Sequence, residues 1–98
     1  MALSEIKSEA DVKREVKKLL NKHEWFYWMP AGSAFGKNNV DFNCLKNGKF
    51  LAIETKFGKN APTINQNKFI ANVETYGGYA LVIWEYSLTD LDTLLQTI

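Results

Sequence analysis

The chain has one cysteine (Cys44), one histidine (His23) and two prolines. A single cysteine excludes an internal disulfide and suits a reducing compartment. A histidine without a second histidine or cysteine at ligand spacing argues against a zinc site. No apolar run approaches the length of a membrane span, and the first residues lack the apolar core of a signal peptide. No membrane contact and a cytoplasmic location are therefore expected. Repeats, linkers and low-complexity tracts are missing, so the 98 residues are expected to form a single domain over 1–98. The chain also lacks a glycine-rich loop followed by Lys-Ser or Lys-Thr, which argues against a P-loop nucleotide hydrolase.

Net charge is nearly absent too, at +1 from 12 basic and 11 acidic residues. The distribution is less even. Residues 37–68 hold Lys37, Lys46, Lys49, Lys56, Lys59 and Lys68 against only Asp41 and Glu54, whereas residues 69–98 hold no basic residue. A locally positive middle third suits a polyanion, with Lys37 and Lys59 as candidate contacts. Ordinary lysine decoration of a solvated face explains the charges as well, and on charge alone it is the better explanation.

What is present reads as an alternation of helices and strands. Ser8 is placed to cap a first helix, with Glu9 and Asp11 in its first turn and Val12, Val16, Leu19 and Leu20 at helical spacing. The helix should end near 21–23. The aromatic run 25–29 reads as a strand stopped by Pro30, and the polar, glycine-containing stretch 31–39 as a loop. Residues 40–45 and 50–56 are strand-like and flank Lys46-Asn47-Gly48-Lys49, where Asn-Gly is a strong hairpin signal. A second helix is predicted over 63–76, with Phe69, Ile70, Val73 and Tyr76 on one face and Gly77-Gly78 as its stop. Residues 79–86 form an apolar run with the character of a central strand. Ser87 or Thr89 then caps a last helix carrying Leu88, Leu91, Leu94, Leu95 and Ile98. The fold class is α/β, a mixed central sheet flanked by helices in the order αβββαβα, because a helix between the third and fourth strands favours a parallel crossover.

The hairpin also serves as a ruler. If Asn47 and Gly48 make a two-residue turn, Lys46 faces Lys49, Asn43 faces Ala52 and Asp41 faces Glu54. Lys56 follows on the same side as Glu54, since strand side chains alternate. Directly opposed residues have Cβ atoms roughly 4.5–5.5 Å apart, and like charges so placed repel. A hard divalent cation such as Mg²⁺ would offset that repulsion. It can also activate water against a phosphate, with Lys56 steadying the developing charge. The plainer reading pairs each acid with a surface lysine, or slips the register at a bulge.

Other polar residues are ambiguous. Glu9 falls on the apolar side of the first helix, where a first-turn acid complementing the helix dipole is the simpler account. Gln66 falls on the Phe69–Val73 side, where Thr63-x-x-Gln66 is also a capping-box pattern. Cys44 has no partner for nucleophilic chemistry. Trp25, Tyr27, Trp28 and Phe35 could stack bases but fit a core or a dimer surface better.

Asp41, the run Ile53-Glu54-Thr55-Lys56, Gln66 opening a helix that ends in Gly77-Gly78, and the opening Ser8-Glu9-Ala10-Asp11-Val12 together resemble the VRR-Nuc family of the PD-(D/E)XK superfamily. The resemblance runs from Ser8 to the last helix. It implies a restriction-endonuclease-like fold and a DNA endonuclease dependent on Mg²⁺ or Mn²⁺. By the same likeness Asp41, Glu54 and the Thr55 backbone carbonyl would hold the metal and Lys56 would be the catalytic lysine. Glu9 and Gln66 would support the site. Small stand-alone members look like phage or bacterial homodimers that cut branched DNA such as four-way junctions, in the bacterial or phage-infected cytoplasm. One departure is plain: Asn39-Val40-Asp41 stands where the family usually has Gly-x-Pro-Asp. Two other functions are compatible with the residues, a non-catalytic DNA-binding module that keeps the fold and a protein-interaction domain using its aromatic surface.

Overall fold

Helix α1 spans Glu9–Lys22 and begins where the Ser8 hydroxyl accepts the Asp11 N–H at 3.2 Å. Val12, Val16 and Leu20 recur on one side of it and are completely buried, so the predicted stripe is the face that meets the sheet. The computed structural model describes residues 5–30 and 40–98. The predicted loop over 31–39, with Lys37 and Phe35, lies outside the described residues.

Strands β1 (Phe26–Trp28), β2 (Phe42–Lys46), β3 (Lys49–Thr55) and β4 (Tyr79–Ile83) form one sheet in the order β1-β2-β3-β4. The first three are antiparallel and β3–β4 is parallel. The mixed sheet follows from the connections. A tight turn at Asn47 and Gly48, both at positive φ, reverses the chain between β2 and β3. Helix α2 (Ile64–Thr75) returns it for β4 to run alongside β3. Helix α3 (Leu88–Thr97) follows a 3₁₀ turn at Glu85–Ser87. The Ser87 hydroxyl accepts the Trp84 N–H at 3.3 Å, so this serine closes the turn and gives no side-chain cap to α3.

The core gathers Val12, Val16 and Leu20 of α1, Phe42, Cys44, Leu51 and Ile53 of the hairpin, and Leu91 and Leu95 of α3. Burying side chains of this size stabilises by roughly 1.5–3 kcal/mol each. Alternation along β3 then turns Phe50, Ala52 and Glu54 to the other face of the sheet.

Two expectations need correction. The apolar run after α2 was predicted to be a central strand, but β4 is shorter, Tyr79–Ile83, and among the described residues it pairs with β3 alone, at the end of the strand order. β2 already occupies the other side of β3, so the crossover can add a strand only outside. Tyr76, predicted on the packing face of α2, is 88% exposed. It is the C-cap residue, where the chain leaves helical geometry and the helical periodicity no longer governs where a side chain points.

Candidate active site

β2 begins at Phe42, and the last backbone rung of the hairpin is Phe42–Ile53. The predicted Asp41–Glu54 pair lies one step beyond it, and it is made differently from a strand pair. The Asp41 N–H donates to Glu54 Oε1 at 3.1 Å, and the Thr55 N–H donates to Asp41 Oδ2 at 2.9 Å. The Thr55 hydroxyl donates to the same Oδ2. Carboxylate oxygens thus take over from backbone carbonyls where the strand gives way to a bend. These charge-assisted bonds explain how Asp41 and Glu54 can be only 4% and 1% exposed.

The other oxygen of each carboxylate faces an ammonium. Lys56 Nζ lies 3.2 Å from Glu54 Oε2, and Lys13 Nζ lies 3.5 Å from Asp41 Oδ1. Lys13 also reaches Glu9 Oε2 at 3.7 Å, one helical turn back. Each acid therefore does meet a lysine, as the plainer reading held, but neither lysine is a free surface group. The Lys56 side chain is 13% exposed and that of Lys13 is 33% exposed. Asp41, Glu54 and Lys56 come together, with Glu9 joined to them through Lys13. Sequence reasoning missed Lys13. The available signal was its spacing four residues after Glu9, which puts the two on the same side of α1.

Gln66 is 6% exposed and completes a capping box: its Oε1 accepts the Thr63 N–H at 3.0 Å and its N–H donates to Thr63 Oγ1 at 3.1 Å. The cap is formed, and the side chain is the buried residue of α2, the helix that packs on β3 and β4. Lys59 is exposed in the turn after β3. Lys37 falls outside the described residues.

The remaining candidates resolve into structure. His23 Nε2 meets Asp92 Oδ1 at 2.6 Å and ties α1 to α3. Cys44 is buried, and burial pushes its thiol up to about 12, which leaves no thiolate for nucleophilic attack. Trp25 belongs to the core and Tyr27 packs edge-on against Phe42, while Trp28 is 43% exposed.

Among the described residues no cluster of three or more His, Cys, Asp or Glu side chains is placed to hold a metal ion. That donor set does not suit a cation that must be enclosed by protein ligands. It does suit Mg²⁺ or Mn²⁺, hard cations that take one or two carboxylates and complete their shells with water and phosphate oxygens. Asp41 Oδ1 and Glu54 Oε2 are oxygens of the right kind, each already facing a positive charge. Among the described residues no helix is long and apolar enough to cross a membrane.

No protein-family model matches the chain, and no curated protein matches it. In structure it is similar to the catalytic domain of the homing endonuclease I-Bth0305I, with a TM-score of 0.53 and 22% identity over 94% of this chain and 90% of that one. The mixed four-stranded sheet with its flanking helices is thus an architecture that an endonuclease catalytic domain also uses.

Proposed function

We propose that this chain is a metal-dependent DNA endonuclease of the PD-(D/E)XK type, related to the VRR-Nuc family. The observation that carries the reading is the pair of buried acids, Asp41 and Glu54, joined by the half-buried Lys56 at the end of the central strand β3. A core gains nothing from two acids and a lysine in this position, whereas phosphodiester hydrolysis needs all three kinds of group. The structural likeness to an endonuclease catalytic domain supports the same reading.

In this proposal Asp41 and Glu54, with the Thr55 carbonyl, hold Mg²⁺ or Mn²⁺. When bound, the cation supplies an activated water and neutralises charge growing on the phosphate. Thr55 keeps the Asp41 carboxylate in place through its N–H and hydroxyl. Lys56, oriented by Glu54, stabilises the negative charge of the transition state. Gln66 and Glu9 support the site from α2 and α1, and Lys37 and Lys59 contact the DNA backbone. The substrate is branched DNA such as a four-way junction. A homodimer would set two symmetric sites against two strands.

The test is cleavage of linear, flapped and four-way DNA, with Mg²⁺, with Mn²⁺ and with chelator. Cleavage should require the cation, and Glu54→Ala and Lys56→Ala should each lower it by at least about 100-fold without loss of fold by circular dichroism. Equal cleavage by both variants would remove the assignment. One observation favours a second reading: both carboxylates already face lysines, an arrangement that a non-catalytic DNA-binding module could keep. Tight binding in chelator, with no product under any cation, would select it.

A further inference from the structure

We propose that Lys13 is a tethered counter-ion that occupies the cation's position at Asp41, and that its displacement couples cation binding to phosphate binding. This rests on the nuclease reading for the kind of cation and polyanion involved. Lys13 Nζ stands 3.5 Å from Asp41 Oδ1 and 3.7 Å from Glu9 Oε2, between two acids and tightly bonded to neither. Charge-assisted N–H···O bonds are shorter, at about 2.7–2.9 Å. The ammonium therefore serves as a shared positive charge more than as a directed donor.

The two lysines of the site are not equivalent. Lys56 is 13% exposed and grows from the chain just past the central strand, so it has little room to leave. Lys13 is 33% exposed on the surface of α1 and can swing into solvent by rotating its side chain alone. A divalent cation at Asp41 would repel it and take one of its two partner oxygens, leaving Glu9 beside it. Once released, Lys13 carries its positive charge to the mouth of the site, where a phosphate of the nucleic-acid backbone can take it. Lys13 thus opposes the cation in the empty protein and favours the polyanion in the loaded one. By linkage, the polyanion must raise cation affinity by the same factor.

Lys13 on this account acts on binding and not on the chemical step, so the experiment measures binding separately from cleavage. Mn²⁺ affinity is read by isothermal titration calorimetry for the wild type, Lys13→Met, which keeps the apolar stem, and Lys13→Arg, which keeps the charge. Lys13→Met should bind Mn²⁺ roughly tenfold more tightly, the size expected for removing one positive charge beside the ion. Lys13→Arg should stay close to wild type. In parallel, anisotropy of a labelled DNA duplex is read in chelator and in Ca²⁺. The affinity gain on adding Ca²⁺ should be several-fold larger for wild type than for Lys13→Met. Unchanged or weaker Mn²⁺ binding by Lys13→Met would overturn the proposal, as would an equal Ca²⁺ gain in both proteins. Absence of Mn²⁺ binding in every variant would sink this inference together with the metal-dependent reading. Mn²⁺ binding with the expected Lys13→Met shift and no DNA cleavage would sink the nuclease reading alone.

Discussion

Helices α1 and α2 both pack on the sheet, but they are held in different ways. α1 buries Val12, Val16 and Leu20 completely, and its other sides carry the charged residues that reach Asp41 and Asp92. α2 buries only Gln66 among its residues. Its position depends on backbone devices: the Thr63–Gln66 box at the start, and at the end a Schellman motif. There the Gly77 N–H bonds Glu74 O at 3.1 Å and the Gly78 N–H bonds Val73 O at 2.9 Å. Gly77 sits at φ +93°, where any side chain is strained. The contrast suggests a division of labour. The α1 side supplies the hydrophobic stability, and the α2 side can carry polar residues because little of its hold depends on apolar burial.

The sharpest way to break this contrast is to truncate the α1 core. Leu20→Ala should cost about 3–5 kcal/mol through lost burial and a cavity, read as a shift in the urea midpoint. A loss below about 1 kcal/mol would show that the α1 side is not where the stability lies.

The next effect tests the α2 side. A Cβ on Gly78 would come within 2.8 Å of Val73 Cγ1 and 3.3 Å of the Phe50 carbonyl oxygen. The first neighbour is a stiff branched side chain and the second is backbone, so neither yields easily. Gly78→Ala should therefore destabilise by about 1–3 kcal/mol. A cost equal to that of Leu20→Ala would mean that α2 is as tightly fastened as α1.

The smallest effect concerns the tie from α1 to α3. His23 first, and then Lys22, hold the Asp92 carboxyl below its ordinary value of 3.8. A carboxyl depressed in the folded state contributes stability that is fully present above its ordinary value. That contribution is lost as pH falls through the lower folded value. The wild type should thus be slightly more stable than Asp92→Asn at pH 5, with the gap closing as pH drops below about 3.8. Asp92 is open to solvent, which screens the interaction, so the gap is small. Parallel acid limbs for the two proteins would show that the tie contributes nothing to pH dependence.

Much of this was legible in the sequence because it is local. Ser8 as cap, the stripe Val12–Val16–Leu20, the Asn47-Gly48 turn and the Gly77-Gly78 stop each depend on neighbours a few residues away. From the turn, counting residues along the two arms brought Asp41 to Glu54 across thirteen positions of sequence. The same counting could not show that the ladder ends at Phe42, since a bend depends on what competes for the backbone N–H groups. Gln66 was legible both as a cap and as a site residue, and among the described residues its bonds are those of the cap.

The sequence by itself determined which segments are helix and strand, where the chain reverses, and which acids and lysine stand near the hairpin's open end. Periodicity and turn chemistry act over short distances and leave a direct trace in residue order. Tertiary structure alone decided that β4 lies at an edge, and that Tyr76 is exposed. It also brought Lys13 from α1 to the carboxylate of Asp41. These outcomes depend on which surfaces compete for the same neighbour in space, and no local pattern in the chain records that competition.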